Sequence, residues 1–435
     1  MLYHNCTVIT MNSENDIFKN GAFVVEDGQF IDVGKSERII KSYSGDEKKN
    51  LNSKIVIPGL INTHTHVPMV LFRGLADDLP LKEWLENYIW PMENKMIDKD
   101  FIKWGSQLAM MEMISTGTTA FADMYFYEEE VARLVKSIGM RASLGEGIIQ
   151  FETPDANKPE QNIERFKMLT QRWHNDNNIK ISMCAHSPYT CNKDLLLKTK
   201  LLADKYDSMY HIHLAETKNE KSMIKENESE VSPVMYLNDI GILDENVLAA
   251  HAVWTDKEDI DILKENKVSV VHNASSNLKL GSGIAPISKY LDAGINVSVG
   301  TDGAASNNTL NMFNEMRLIS LLHKGVNLEP TILPSEQVLK MATINGAKSL
   351  GWDDKIGSIE ENKHADFVVI NKDSVNMKPM YNPVSHLIYA ANGSEVEKVY
   401  VGGELLYENK EFKTINKSEV LENVKKISKK IVGNL

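Results

Sequence analysis

The sequence has few cysteines and no long apolar run, and each absence excludes a class of protein. Its 435 residues include only Cys6, Cys184 and Cys191, too few for a disulfide framework, and no CxxC pair occurs. The first residues, MLYHNCTVITMN, lack the basic start and apolar segment of a secretion signal, and no apolar run reaches membrane-spanning length. We therefore expect a soluble protein of the reducing cytoplasm.

Positive charge is also scarce. The formal net charge is -12, with 48 Lys and Arg against 60 Asp and Glu. Because no dense cationic track occurs, nucleic acid and anionic membranes are poor partners, and a small molecule is the expected one. The composition, 42% hydrophobic and 25% charged, is that of an ordinary globular protein. The length exceeds one usual core and favours a large domain with a smaller one.

Eight short apolar or β-branched runs alternate with stretches of helical spacing. Strand followed by helix, repeated eight times, predicts a parallel closed sheet, the TIM-type (β/α)8 barrel of the α/β class. The chain ends instead carry short strand and turn patterns, and we expect them to form one small β-sandwich accessory domain. We assign residues 57–355 to the barrel, residues 1–56 and 356–435 to the accessory domain, and the lysine-rich end to an amphipathic helix. The eight runs are Ile55 to His66, Thr118 to Asp123, Arg141 to Glu146, Ile179 to His186, Met209 to His213, Val247 to His251, Val268 to His272 and Asn296 to Asp302.

Metal-competent side chains end several of these runs. His64 and His66 stand one residue apart, so in a strand both point to the same face. His213 ends the fifth run and Asp302 the eighth, and the carboxyl ends of barrel strands converge on one mouth. Three imidazoles and one carboxylate suit one divalent ion, Zn²⁺ first with Fe²⁺ or Mn²⁺ as alternatives, and leave a position open for water. The alternative for each residue is a hydrogen-bonded strand end with no shared ion.

The same strand ends offer proton carriers. A divalent ion lowers the pKa of bound water from about 15.7 to about 7, so the site needs groups that accept and deliver protons. Asp302 is suited to accept the water proton and pass it to the leaving group. Glu216 lies three residues beyond His213 and is expected to protonate a ring nitrogen of the substrate. His251 ends the sixth run and is expected to steady the attacking group and the developing negative charge, with a buried structural role as the alternative.

Three other residues are less decided by their spacing. His186 ends the fourth run, where a substrate contact and a core hydrogen bond are nearly equal alternatives. His272 begins the polar segment HNASSN, which we expect to be a loop over the mouth that could fold onto a ligand, and His272 itself receives no role. Glu93 follows the first run in WPME and by spacing alone is an ordinary solvent-facing carboxylate.

Taken together, several motifs resemble those of the amidohydrolase superfamily and, within it, of the aromatic deaminases. They are PGLINTHTH, HIHLAET, AAHAVW, VVHNASSNLKLGSG, VSVGTDGAASNN and the late HADFVVI, and they span essentially the whole chain. The resemblance implies one metal on the four residues proposed above. It implies hydrolytic deamination of the 6-amino group of an adenine nucleoside to the inosine analogue and ammonia. It also implies that Glu93 and His186 contact the substrate, on the ribose.

One departure from the family concerns specificity. Relatives that take S-adenosylhomocysteine place arginines after the third strand, where this sequence has Glu146 and Lys158. Glu146 is expected to repel the substrate's carboxylate, and Lys158 offers a point charge without a bidentate fork. Adenosine, 5'-deoxyadenosine or 5'-methylthioadenosine is then expected to fit at least as well. The alternatives are a deaminase or chlorohydrolase of another heterocycle, such as a guanine-like base, pterin or triazine, and a non-catalytic assembly protein. A homo-oligomer stays open.

Overall fold

A computed structural model describes residues 1–224 and 231–434, and its strands form two nine-stranded sheets. One sheet is the barrel, in which parallel strands neighbour one another in chain order, so the predicted (β/α)8 architecture is confirmed. The last strand returns to the first, where the Asp302 N–H donates to the His64 carbonyl at 2.9 Å. The barrel strands are Leu60–Thr65, Thr118–Tyr125, Arg141–Ile148, Ile179–Ile181 continued by Met183–Ala185, Tyr210–Leu214, Val247–His251, Ser269–His272 and Val297–Val299.

Amphipathic helices surround the barrel because their apolar residues recur at helical spacing and face the strands. In the helix Glu128–Ile138, for example, Val131 and Val135 are fully buried. Several helices begin at a capping side chain, as where Asp256 accepts the Asp259 N–H at 3.0 Å. None of the described helices combines the length and apolar character that crossing a bilayer requires. The helices are Ser36–Ser42, Val67–Phe72 (3-10), Leu81–Trp84, Leu85–Ile89 (π), Trp90–Met96, Lys99–Ser115, Glu128–Ile138, Pro159–Trp173, Lys193–Lys205, Glu220–Met223, Pro233–Asp239, Lys257–Glu265, Ala274–Lys279, Ile287–Ala293, Ala304–Asn307, Met312–Asn327, Ser335–Met341, Ile344–Ser349, Val375–Met377 (3-10), Pro383–Tyr389 and Lys417–Val432.

The second sheet is largely antiparallel and is built from both chain ends, as the sequence predicted. The ends meet where Ile55–Pro58 pairs antiparallel with Phe367–Ile370. Aromatic rings cover one face, with the centroids of Tyr3 and Phe23 5.0 Å apart and stacked. Such contacts between large buried rings stabilise the sheet beyond the area they bury. Its strands are Leu2–Ile9, Ile17–Glu26, Gln29–Lys35, Lys48–Asn50, Ile55–Pro58, Phe367–Ile370, Val396–Val401, Glu404–Glu408 and Glu411–Phe412.

The sequence treated Ile55 to His66 as one barrel strand, and this expectation is wrong. Ile55–Pro58 belongs to the second sheet, and the barrel strand starts only at Leu60. Between them the chain passes Thr119 so closely that a Cβ on Gly59 would lie 1.9 Å from the Thr119 Oγ1. Glycine alone permits that approach, so Pro58 and Gly59 mark the change from one sheet to the other. Apolar periodicity is the same on both sides and therefore hid the boundary.

A buried ion pair joins the two sheets. Arg141, at the start of the third barrel strand, donates from Nε to the Asp366 Oδ2 at 2.6 Å and from Nη2 to Oδ1 at 3.0 Å. The two side chains are only 3% and 2% exposed. The Gly402 N–H also donates to the Asp366 Oδ1, at 2.7 Å. Since removing one member would leave a buried charge without its partner, this pair ties the accessory sheet to the base of the barrel.

Candidate active site

Four side chains from three distant segments of the chain meet at the carboxyl end of the barrel. The Asp302 Oδ1 lies 3.3 Å from the His66 Nε2 and 3.6 Å from the His64 Nε2. The Nε2 atoms of His66 and His213 are 3.3 Å apart. His64 lies in the first strand and His66 directly follows it, so the alternation of side chains brings both to one face. His213 lies in the fifth strand and Asp302 three residues beyond the eighth, at the same end of the barrel.

Hydrogen bonds at the far side of two rings fix which nitrogen faces the centre. The His66 Nδ1 lies 2.6 Å from the Met124 carbonyl, and the His213 Nδ1 lies 2.7 Å from the His186 carbonyl. A carbonyl can only accept, so each Nδ1 carries a proton, and in the neutral ring each Nε2 presents a lone pair to the centre.

The environment of His64, the third histidine of the cluster, tests whether these side chains fit a metal ion. The His64 Nε2 is buried and has no hydrogen-bond partner among the described residues. This atom points to the cluster in which ligand atoms of His64, His66 and His213 all lie within 4.8 Å of one another. Neutral imidazole nitrogens with one carboxylate are the donors that a divalent transition metal prefers. The donor set therefore fits such an ion.

Asp302 is held as a carboxylate at this centre. Burial alone raises its pKa, but in the metal-free protein the hydrogen bond and charge of a protonated His66 ring, with the charges of the other rings, outweigh burial and hold the pKa well below its usual value. The Ser276 Oγ donates to Oδ2 at 2.6 Å and the Gly303 N–H donates to Oδ1 at 2.7 Å.

The backbone is left-handed at Asp302, with φ 63°, and at His251, with φ 76°. Such strain in non-glycine residues concentrates at functional sites, where the fold must aim particular side chains.

His251 and Glu216 lie together beside this cluster. The His251 Nε2 is 3.8 Å from the Glu216 Oε2, and its Nδ1 is 2.8 Å from the Asn277 Oδ1. The Ser282 hydroxyl donates to the Glu216 Oε1 at 3.0 Å. Burial raises the pKa of Glu216, and the charge of His251 opposes that rise. A carboxyl whose pKa is raised by burial is suited to hold and deliver a proton near neutral pH.

Glu220, which the sequence reasoning missed, holds the turn that aims Glu216. Its two carboxyl oxygens accept the backbone N–H groups of Ala215, at 3.0 Å, and of Glu216, at 2.8 Å. Ala215 has a left-handed φ of 51°, so the chain bends sharply straight after the fifth barrel strand. Burial raises the pKa of Glu220 to about 8. The only signal in the sequence was a carboxylate at the start of a short helix four residues further on.

Glu93 and His186 lie in the wall of a cavity above the four clustered side chains. Glu93 is 5% exposed, so the expectation from spacing that it faces solvent is wrong. The Tyr125 hydroxyl donates to the Glu93 Oε1, and burial raises the pKa of Glu93 to about 7. Burial lowers the pKa of His186 to about 3, and its Nδ1 lies 3.0 Å from the Thr190 Oγ1. Much of the remaining wall is apolar, formed by Met69, Leu81, Trp84, Leu85, Ile89, Trp90, Met124, Phe126, Ile149 and Leu280.

The expectation that Glu146 confronts the substrate is wrong. Glu146 is 1% exposed, lies 3.2 Å from the Arg165 Nη1 and accepts the Glu128 N–H at 3.0 Å. Lys158 is exposed and precedes the helix Pro159–Trp173. Neither residue belongs to the described wall of the cavity, whereas Gly147 and Ile149 do. Because side chains alternate along a strand, Glu146 points away from the face that its neighbour Gly147 presents to the cavity.

The polar segment after the seventh strand is likewise different from the expected loop. His272 is buried, and its Nε2 lies 3.0 Å from the Nε2 of His323 on a surrounding helix. The residues that follow form the helix Ala274–Lys279, with Ser276 bonded to Asp302 and Asn277 bonded to His251. The segment therefore orients site side chains from behind. The sequence could not separate that position from one over the mouth.

Comparison with known proteins places the chain in a family. Residues 55–406 match the model of the amidohydrolase family. A 5-methylthioadenosine/S-adenosylhomocysteine deaminase of Thermodesulfovibrio yellowstonii is 42% identical over 95% of both chains, and a 5'-deoxyadenosine deaminase of Methanosphaera stadtmanae is 46% identical over 86% of this chain and 87% of that one. The crystal structure of an adenosine deaminase from Xanthomonas campestris with bound zinc superposes with a TM-score of 0.96 at 33% identity, covering 99% of this chain and 98% of that one. The chain belongs to the amidohydrolase family.

Proposed function

We propose that this protein is a metal-dependent hydrolase that removes the 6-amino group of an adenine nucleoside and releases ammonia and the inosine analogue. The observation that carries the proposal is the meeting of His64, His66, His213 and Asp302 on a cavity that also contains Glu216. The names of the relatives, which are deaminases of adenine nucleosides, support this choice of substrate class.

Zinc is the proposed metal, held by the same three histidines and Asp302. The set of nitrogen and carboxylate donors suits zinc, and the Xanthomonas campestris relative binds it. When bound, the ion supplies acidity to a water molecule, whose pKa it lowers towards neutrality. Fe²⁺ and Mn²⁺ are the alternatives that metal analysis would distinguish.

The chain's own residues then carry the protons. Asp302, kept ionised, accepts a proton from the water that attacks C6 of the purine. Burial raises the pKa of Glu216, which delivers its proton to N1. As the water oxygen bonds to C6, the electron pair of the C6–N1 double bond moves onto N1 and binds this proton. Asp302 passes its proton to the departing amino group, which leaves as ammonia. The C6 hydroxyl then gives up its remaining proton, which returns to the Glu216 carboxylate, and the carbonyl forms. His251 presents Nε2 beside Glu216 and steadies the attacking oxygen.

The rest of the cavity selects the nucleoside. Glu93 and His186 are proposed to hold the ribose hydroxyls, and the apolar wall packs on the purine and on the 5' substituent. Among the described residues that line the cavity none is lysine or arginine, and the adjoining pocket adds only the exposed Lys82, so an amino-acid carboxylate would meet no buried cation there. We therefore expect a small neutral 5' group, as in 5'-deoxyadenosine or 5'-methylthioadenosine, to be preferred over the homocysteine tail.

The test is to give zinc-loaded protein adenosine, 5'-deoxyadenosine, 5'-methylthioadenosine, S-adenosylhomocysteine and guanine, and to measure the ultraviolet change and ammonia release. We expect kcat/KM for the neutral 5' groups to exceed that for S-adenosylhomocysteine at least about tenfold, the equivalent of one unpaired polar group. The Glu216→Gln variant is the control for contaminating deaminase. Absence of ammonia from every adenine nucleoside, with guanine deaminated instead, would replace this proposal by the other-heterocycle alternative.

Other expectations stay predictions. These are the domain boundaries after residues 56 and 355, a cytoplasmic location and association into a homo-oligomer. Gel filtration with light scattering measures the last of these directly.

A further inference from the structure

One histidine deep in the barrel has no place in the reaction described above. His211 is fully buried and stands two residues before His213 on the fifth barrel strand, so both side chains point into the barrel, with His211 one layer deeper. Its Nε2 lies 2.9 Å from the His64 Nδ1. The two rings meet edge to face, with centroids 4.9 Å apart and an interplanar angle of 73°.

His64 differs from the other two clustered histidines in its partner. Carbonyl oxygens, which only accept, fix the Nδ1 protons of His66 and His213. An imidazole nitrogen can either donate or accept, so the proton shared by His64 and His211 has two possible positions. With the proton on the His64 Nδ1, the His64 Nε2 carries a lone pair and can bind a metal. With the proton on the His211 Nε2, the ring proton of neutral His64 sits on Nε2 and blocks the site.

We propose that His211 is a positioning residue that fixes the tautomer and ring orientation of His64, so that the affinity of the site for its metal depends on an acceptor at the His211 Nε2. The inference rests on the proposed metal site. It requires His211 to carry its own proton on Nδ1, an atom that is buried without a hydrogen-bond partner among the described residues. A buried polar atom without a hydrogen-bond partner lowers the stability of the fold. A side chain with only a structural role gives no reason to keep such an atom at this position.

A matched pair of variants tests the acceptor. His211→Gln keeps an acceptor oxygen near the position of Nε2, whereas His211→Met has similar length and only a weakly accepting sulfur. Zinc affinity is measured on metal-stripped protein by competition with a chromophoric chelator, and the unfolding midpoint of each metal-free variant is measured alongside. Loss of an outer hydrogen bond to a metal-binding histidine typically lowers affinity 10- to 100-fold. We expect that loss in His211→Met and an affinity within about threefold of the wild type in His211→Gln.

The outcomes separate the two proposals. A wild-type protein that binds no zinc overturns the proposed function and this inference together. A wild-type protein that binds zinc, with His211→Met binding equally well, overturns the inference alone. Equal losses in both variants, with both folded, also overturn it, because the ring itself and not the acceptor would then matter.

A measurement on the unmutated protein covers the case in which neither variant folds. Long-range proton–nitrogen correlation spectra of histidine-labelled, zinc-loaded protein report which nitrogen of each ring carries a proton. We expect both His64 and His211 to be protonated at Nδ1. A proton on the His211 Nε2 in the zinc-loaded protein contradicts the proposal.

Discussion

Replacing Glu93 by glutamine is expected to make the metal-free protein more stable and the enzyme less active. The wild-type carboxyl is 5% exposed, and burial raises its pKa from 4.5 to about 7. Below pH 4.5 the carboxyl is protonated in both the folded and the unfolded chain, so it contributes no difference. Between pH 4.5 and 7 the folded chain keeps a proton that the unfolded chain has lost, so stability falls as the pH rises. Glutamine keeps an acceptor for the Tyr125 hydroxyl and does not titrate.

The size of the effect follows from the pKa. One pKa unit corresponds to about 1.4 kcal/mol, so the full difference above pH 7 is about 3 kcal/mol in favour of Glu93→Gln. At pH 5.5 the difference should be about 1.4 kcal/mol, and it should grow by about 2 kcal/mol between pH 5.5 and 7.5. The assay is urea unfolding of metal-stripped protein across this range. Glu86→Gln is the control, since Glu86 lies on the exposed surface of the preceding segment.

Above pH 7, where the wild-type carboxyl is ionised, the same variant should lose activity because a charged acceptor for a substrate hydroxyl is replaced by a neutral one. Hydrogen bonds to charged groups contribute about 1.5–3 kcal/mol, so kcat/KM should fall by about 10- to 100-fold in the zinc-loaded enzyme. A Glu93→Gln stability difference that does not change with pH would refute the buried, protonated state of this carboxyl. An unchanged kcat/KM would refute its contact with substrate.

Other variants test the remaining parts of the site and the fold. Glu216→Gln removes only proton delivery and should lower kcat by about 10²- to 10⁴-fold at unchanged zinc content. Ser282→Ala keeps the carboxyl group and should lower kcat less than about tenfold. Equal losses of kcat in the two variants would contradict the role of Glu216 as an acid. Glu220→Gln places its NH2 group against one of the two backbone N–H groups that the carboxyl oxygens accept, and it should lower kcat about tenfold with little change in KM. A rise in KM alone would argue against a role of Glu220 in aiming Glu216. Arg141→Met leaves Asp366 buried without its cation and should lower the free energy of unfolding, measured with urea, by about 3–5 kcal/mol. A free energy of unfolding within about 0.5 kcal/mol of the wild-type value would show that the ion pair contributes little.

Strand periodicity allowed the architecture and the clustered residues to be anticipated. His64 and His66 share a face because strand side chains alternate, and parallel strands deliver His213 and Asp302 to the same end. Both predictions follow from the local geometry of a strand and from the rule that the carboxyl ends of barrel strands share one face. Neither requires knowledge of tertiary contacts.

The residues that were misplaced depend on contacts between distant segments. Glu93 is buried because the segment after the first strand folds back over the cavity, and nothing in its own neighbourhood encodes that burial. Glu146 pairs with Arg165 from the following helix, a contact that a motif comparison does not register. The change of sheet at Gly59 follows from the proximity of Thr119, sixty residues away along the chain. Local pattern gives faces and ends, whereas long-range packing decides which of those faces reach the site.

The most direct test of the metal-dependent deaminase is a titration of metal-stripped protein with zinc while ammonia release from 5'-deoxyadenosine is followed. We expect no activity without metal, a linear rise with added zinc and a break at one equivalent, since the two groups of ligand atoms found among the described residues share His64 and so form one centre. The matched variant His213→Asn should neither bind zinc tightly nor release ammonia. Full activity of the metal-free protein, or an active His213→Asn variant without bound metal, would contradict the account.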